Sequence, residues 1–293
     1  MRHRIVYYHH PIDKRYSLAF VAHDAGELAA RYDTHADGSV KAMGYPLSGT
    51  TVYCLYTHTG ASGTTADLET TEAEIAAALD EMHPDDRTIA IRLLNIYEGV
   101  LDEEDEAGDG LEIYKELEMD NLPRALAQVD WSGTAAEIAG RLMSNLILKH
   151  ALPNANHRCS ISLLETYLEF CSREDALKFS MPHTHTPAFE WQEWVNEYIR
   201  ESKRILTIRR NNVRFDALRD AGCEVVVRKG DIGIHLAEWN LDMHYREAWT
   251  EYAQLHEHLC IGFAEEVTRR GGAPALGELS GLTKQEFASL LRE

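Results

Sequence analysis

The sequence predicts a mainly α protein, α+β overall, with a helical core flanked by small β-containing regions at both ends. Three observations predict it. Residues 134–149 open on a capping box, Thr134-Ala-Ala-Glu137, and then repeat apolar residues at Ile138, Leu142, Met143, Leu146 and Ile147. Residues 157–171 carry Ile161, Leu163, Leu164, Tyr167 and Leu168, apolar around most of the circumference, as in a helix buried at the middle of a bundle. Towards both ends the pattern changes to short β-branched and aromatic runs separated by Gly and Pro.

The 293 residues suffice for one large domain or two modest ones. The pattern divides them into a β-containing region at 1–80, a helical core at 81–204 and an α+β extension at 205–293. In order, residues 5–8, 18–22 and 52–56 read as strands, and the Gly/Ser/Thr-rich stretch 57–65 as a loop or linker. Residues 71–79 and 85–101, the latter behind Pro84, read as helices. Asp102-Glu-Glu-Asp-Glu106 with Gly108 and Gly110 reads as an acidic, solvated break. Residues 183–187 read as a turn and 189–206 as a helix, with Trp191, Trp194 and Tyr198 as a core stripe. Arg209, Arg210 and Arg214 read as the solvated start of a separate short helix. Residues 224–228 and 232–236 read as strands joined by Lys229-Gly230-Asp231, a hairpin signal. A helix over 242–269, a Gly-Gly-Ala-Pro break and a terminal helix complete the chain.

Charge narrows the partners. There are 48 Asp and Glu against 29 Lys and Arg, for a formal net charge of −19, which argues against nucleic acid and against an anionic membrane surface. The balance suits a high-salt cytoplasm and an ordinary acidic cytosolic protein equally. Cys54, Cys159, Cys171, Cys223 and Cys260 are scattered with no C-x-x-C pair, as expected in a reducing compartment. No apolar run reaches spanning length and the first residues lack a signal-peptide core, so a cytoplasmic protein is expected.

The chemistry concentrates in His150-Ala-Leu-Pro-Asn-Ala-Asn-His-Arg158, between the two central helices. A loop feeding a helix N-terminus offers backbone N–H groups and a positive dipole end to an anion. His150 is a base available at neutral pH, and Arg158 has the planar fork that suits phosphate. Asn156 is both a good N-cap and a plausible phosphate donor.

This nine-residue stretch resembles the signature of the Fic/Doc (Fido) family, His-x-Phe-x-Asp/Glu-Gly/Ala-Asn-Gly/Lys-Arg, in a form closer to the Doc branch. His150, Ala155, Asn156 and Arg158 match, and Leu152 stands where Phe is usual. Asn154 stands where Asp or Glu is usual, and His157 where Gly or Lys is usual. The resemblance covers roughly residues 85–175. It implies a Fido-like helical core and a transferase that modifies the hydroxyl of a Ser, Thr or Tyr on a protein substrate with ATP. His150 would be the general base, and Ala155, Asn156, His157 and Arg158 would hold the nucleotide phosphates. Attack at the α-phosphate transfers AMP and attack at the γ-phosphate transfers phosphate; both directions are open. The family's carboxylate holds Mg²⁺, a task that falls here to Asn154, whose uncharged amide is the weaker ligand. The competing expectation is a catalytically weak or inactive Fido scaffold that binds a nucleotide or a protein. The family's inhibitory pattern, Ser/Thr-x-x-x-Glu-Gly/Asn, is not met: Glu98-Gly99 has Leu94 in the Ser/Thr place. A separate antitoxin-like partner stays open, as Doc relatives have. The pairs His183/His185 and His256/His258 read as solvated histidines rather than metal ligands, because 15 histidines make such spacings common.

Overall fold

The computed structural model describes residues 4–34, 40–58, 70–108, 110, 111, 113, 115–174 and 176–293. Its helices are β1-preceded and β-interrupted in the order strand β1 (Ile5–Tyr7), β2 (Tyr16–Ala22), helix α1 (Ala25–Tyr32), β3 (Val40–Leu47), β4 (Thr50–His58), α2 (Glu72–Asp80), α3 (Pro84–Ala107), α4 (Asn121–Ala127), α5 (Ala135–Lys149), α6 (Asn156–Glu174), α7 (Ala188–Asp220), β5 (Val225–Arg228), β6 (Ile232–His235), α8 (Tyr245–Arg270) and α9 (Lys284–Leu290). The protein is mainly α with two small sheets, the class the sequence predicts. Among the described residues no helix is long and apolar enough to cross a membrane.

The chain forms two compact units, each built from two separate stretches of sequence. One comprises Met1–Ser62 with Arg200–Ala253, the other Gly63–Ile199 with Gln254–Glu293. The cause is strand pairing. β1 pairs in parallel with β5, Ile5 opposite Val225, which draws the C-terminal hairpin onto the N-terminal strand.

In the first unit, β1, β5 and β6 form one sheet, and β2, β4 and β3 form another with β4 central. The β5–β6 hairpin turns where expected, with Gly230 and Asp231 both at positive φ (74° and 53°). Val226, Ile234, Phe215, Leu55 and Tyr56 are fully buried here. The Tyr56 hydroxyl donates to the Tyr7 carbonyl at 2.8 Å and bonds the Tyr45 hydroxyl at 2.7 Å, so the buried phenols are satisfied.

The second unit is built on α5 and α6, which pack against each other and against α3, α4 and α9. The capping box on Thr134 and Glu137 starts α5 as expected. Ile138, Leu142, Met143, Leu163, Leu164, Tyr167 and Leu168 are buried to 0% exposure, so these two helices are the centre of the unit. Tyr167 stacks edge-on against Phe287 of α9 at 5.0 Å. Gly140 lets α5 touch α8: a Cβ there would lie 2.5 Å from the Ile261 Cα.

Several expectations are corrected. Asp102–Glu106 is not a break: α3 runs through it to Ala107 and ends on Gly108 at φ 80°. Acidic residues are tolerable on an exposed helix face, and the stop is the first left-handed glycine. Arg209, Arg210 and Arg214 lie inside α7, because nothing between Leu206 and Asp220 breaks a helix. Arg209 is buried rather than solvated. It lies 3.6 Å from the Trp249 ring centroid and its Nε donates to the Trp249 carbonyl at 2.9 Å. Burial, with Arg210 beside it, pushes this guanidinium down to about 10. In the aromatic stripe, Tyr198 is buried, while Trp191 and Trp194 are half-buried with Trp194 stacked on Phe263. His183, His185 and His258 are exposed, but His256 is fully buried, its Nδ1 2.8 Å from the Ser144 hydroxyl. Strand β3 and helix α1 were not expected. Of the loop read at 57–65, Thr57 and His58 end β4 and residues 59–65 lie outside the described residues.

Candidate functional site

α5 ends at Lys149 because His150 leaves the helix in the left-handed conformation (φ 52°, ψ 49°), while its N–H still donates to the Leu146 carbonyl at 3.0 Å. A non-glycine residue in this region is uncommon and is held by its surroundings. Three contacts from residues 115–121, which lead into and open α4, hold it. Lys115 Nζ bonds the His150 carbonyl, Asn121 Nδ2 donates to the Lys149 carbonyl at 3.3 Å, and the Glu118 N–H donates to the Ala151 carbonyl at 2.9 Å. The Lys149 carbonyl is one of the orphan acceptors of the α5 C-terminus, and the other two carbonyls belong to the cap and the residue after it.

The loop then folds on Asn156, the first residue of α6, which is 6% exposed. Its Oδ1 accepts from the Leu152 N–H at 3.2 Å, and its Nδ2 donates to the Leu152 carbonyl at 2.9 Å and to the Asn154 carbonyl at 3.4 Å. The amide proposed from sequence as a phosphate donor is therefore occupied as a loop clamp. Leu152, in the place of the family's Phe, is buried beneath it at 2% exposure. Ala155 takes φ 54°, a second left-handed residue, and the Cys159 N–H donates to its carbonyl at 2.9 Å. The Asn154 side chain turns onto the neighbouring Ala155 N–H at 2.6 Å. His157 is half-buried in the first turn of α6.

Arg158 is exposed and pairs through Nη1 with Oε1 of Glu104 at 2.6 Å, bringing the end of α3 to the start of α6. Both side chains reach solvent, with 49% and 27% of their area exposed, so an anion at the helix start competes with Glu104 for the guanidinium. The thiol in this turn, Cys159, is fully buried. Burial pushes it up to about 12, which the nearby Arg158 offsets only in part, so it stays a neutral thiol.

The donor set decides what the loop can hold. The start of α6, with Arg158 at its rim, suits a phosphate. Mg²⁺ is another matter. The Asn154 oxygen is engaged by Ala155, the Glu104 carboxylate by Arg158, and among the described residues no group of three His, Cys, Asp or Glu could hold a metal ion. A hard divalent cation wants carboxylates, and this arrangement of residues does not fit it. Asn154 as a metal ligand is thus unsupported by geometry.

Structure brings His150, Asn154, Ala155, Asn156, His157 and Arg158 into one short loop and the helix turn that follows it. Sequence reasoning missed Glu104 and Lys115. Reading the acidic run as helix would have put Glu104 on the same element as the core residues Leu93 and Val100; Lys115 had no signal. A family model described as Family of unknown function (DUF8172) matches residues 2–293. No curated protein and no solved structure matches the chain.

Proposed function

Taking as premise that this chain belongs to DUF8172, we propose that it is a Fic/Doc-like transferase carrying AMP or phosphate from ATP to a hydroxyl on a protein. The observation that carries the proposal is the helix–loop–helix at 135–174, in which His150 closes α5 and Asn156 and Arg158 open α6. A base and an anion-binding helix start lie within nine residues, on a loop whose backbone is fixed at both ends.

In this reading the target hydroxyl oxygen attacks phosphorus while His150 takes its proton. Attack at the α-phosphate forms the new P–O bond and releases pyrophosphate; attack at the γ-phosphate releases ADP. Backbone N–H groups at the start of α6, from Asn156 through Arg158, hold phosphate oxygens, and Ala155 leaves room for them. Arg158, drawn from Glu104, stabilises the charge that builds on the transferred group. Asn156 acts by fixing the loop rather than by touching phosphate. The protein partner presents a Ser, Thr or Tyr hydroxyl, and an antitoxin-like partner is compatible with the absence of the inhibitory sequence pattern. Five free, buried cysteines fit a cytoplasmic location.

The second reading, a Fido scaffold that binds without turnover, is favoured by one observation: the loop offers no carboxylate at Asn154 for Mg²⁺. Incubation with ATP labelled separately at the α and γ positions decides. Labelled protein from α-ATP identifies AMP transfer, and from γ-ATP phosphate transfer, each abolished by His150→Ala. ATP binding without label in either arm replaces the transferase by the binding scaffold.

A further inference from the structure

The acidity of the chain is not shared between its units. The sheet-containing unit has 16 Lys and Arg against 14 Asp and Glu; the helical unit has 13 against 34. Within the sheet-containing unit, basic groups from three elements gather where β5 ends. Arg228 closes β5, with Lys229 next to it, Lys203 and Thr207 lie one turn apart on α7, and His9 follows β1.

Arg228 is anchored by one nitrogen only. Its Nη1 donates to the Lys203 carbonyl at 2.9 Å and to the Thr207 hydroxyl oxygen at 2.8 Å. Its Nε is buried with no hydrogen-bond partner, and no described residue accepts from Nη2. These are the two parallel N–H groups of the guanidinium that receive an oxyanion side-on. A buried donor without an acceptor is rare in a folded protein, and a charged one is the costliest kind.

Among the described residues neither Arg228 nor Lys203 forms an ion pair. Burial lowers the Lys203 ammonium and Arg228 lowers it further. Burial pushes His9 down to about 3, with Arg228, Lys229 and Lys14 adding to it. His9 Nδ1 accepts from the Lys229 N–H at 3.2 Å, so the neutral ring carries its proton on Nε2 and is a further donor. Neighbouring Tyr8 receives Asn211 Nδ2 at 3.4 Å. In a chain of net charge −19, a buried guanidinium edge with no acceptor, beside an ammonium that forms no ion pair among the described residues, suits a negative ligand.

We propose that the Nε–Nη2 edge of Arg228, with Lys203 and His9 beside it, binds a phosphate group, free or as a phosphomonoester, at a site separate from the α5–α6 loop. Two N–H groups in one plane and an adjacent ammonium suit a dianion better than a monoanionic carboxylate.

The test uses the full chain carrying Arg158→Ala, which removes the guanidinium of the loop. Inorganic phosphate, AMP and acetate are titrated in low-chloride buffer by calorimetry, and the Arg228 Nε–H resonance is followed by ¹⁵N NMR. One equivalent of phosphate is expected to bind, to shift that resonance and to raise the His9 pKa, with acetate weaker. Lys203→Met, which keeps the backbone carbonyl that anchors Arg228, should weaken phosphate by about tenfold. Equal affinity for phosphate and AMP identifies the phosphate group alone as the ligand; tighter AMP identifies a phosphomonoester. Binding of neither, an unmoved Nε–H, or full affinity in Lys203→Met overturns the site. The loop proposal would survive that failure, since its readout is label transfer through His150.

Discussion

Asn156 and Leu152 face each other through a closed pair of hydrogen bonds, the Leu152 N–H to Oδ1 at 3.2 Å and Nδ2 to the Leu152 carbonyl at 2.9 Å. The side chain imitates a strand partner for one residue of loop. The pair braces a segment that carries two left-handed residues, His150 and Ala155.

Asn156→Ala should accordingly act on stability as well as on activity. Two buried bonds disappear and the Leu152 backbone is left unsatisfied, for a loss of about 2–3 kcal/mol. Chemical denaturation checks it. A purely ligand-binding asparagine would leave the unfolding midpoint in place.

Glu104→Gln should behave in the opposite way. The pair with Arg158 is solvent-exposed and worth about 1 kcal/mol or less, so the fold should hardly notice. Phosphate or ATP affinity at the loop should rise, about fivefold at most, because Arg158 no longer has a resident carboxylate. Unchanged affinity would show that Arg158 stands outside the site.

Asn154→Asp restores a carboxylate where the resemblance expects one. The Ala155 N–H can still donate to it, so the turn is kept. Transfer activity should rise or need less Mg²⁺, and His150→Ala in that background should remove the gain. A wild type that transfers label with a rate and metal dependence unaffected by the change would place residue 154 away from the phosphates.

Gly140→Ala tests the contact of α5 with α8. Alanine is the better helix former by about 1 kcal/mol. Its Cβ, however, would sit 2.5 Å from the Ile261 Cα and 2.6 Å from its N, both backbone atoms that cannot turn aside. The clash should win, with a net loss of about 2 kcal/mol or more by denaturant unfolding.

His9 makes stability depend on pH. Its pKa falls from 6.5 in the unfolded chain to about 3 in the fold, first through burial and then through Arg228, Lys229 and Lys14. Between those values the unfolded chain holds the extra proton, so this residue removes stability as pH drops from about 6.5 towards 3. His9→Gln should flatten that slope in urea midpoints compared at pH 7 and pH 5.

What the sequence disclosed follows from how local each signal is. α5 was legible because its start is a capping box and its core face repeats within fifteen residues. Strand β3 was hidden by Gly44 and Pro46, which speak against a strand; Pro46 is tolerated because β3 is at the sheet edge. α1 buries none of its residues and is only eight residues long, too short for its periodicity to stand out. At the loop, the residues and their place between two helices were legible, whereas the left-handed conformations of His150 and Ala155, neither of them glycine, were not. The Arg158–Glu104 pair spans 54 residues and the Lys115–His150 contact 35, and no periodicity reports contacts of that range. The burial of Arg209 depends likewise on Trp249, 40 residues away.

The parallel pairing of Ile5 with Val225 has a consequence for synthesis. β1 emerges from the ribosome some 220 residues before its partner strand, and the Tyr167 hydroxyl of the helical unit waits 115 residues for the Leu282 carbonyl. Closing such spans costs the finished protein little, since the entropy of closure grows only with the logarithm of length. It costs time, because distant contacts must form before they reward the chain. The sheet of β1 thus stays unpaired until β5 is made and the helical core stays open until Leu282 is made, which lengthens the time apolar surface is exposed during synthesis.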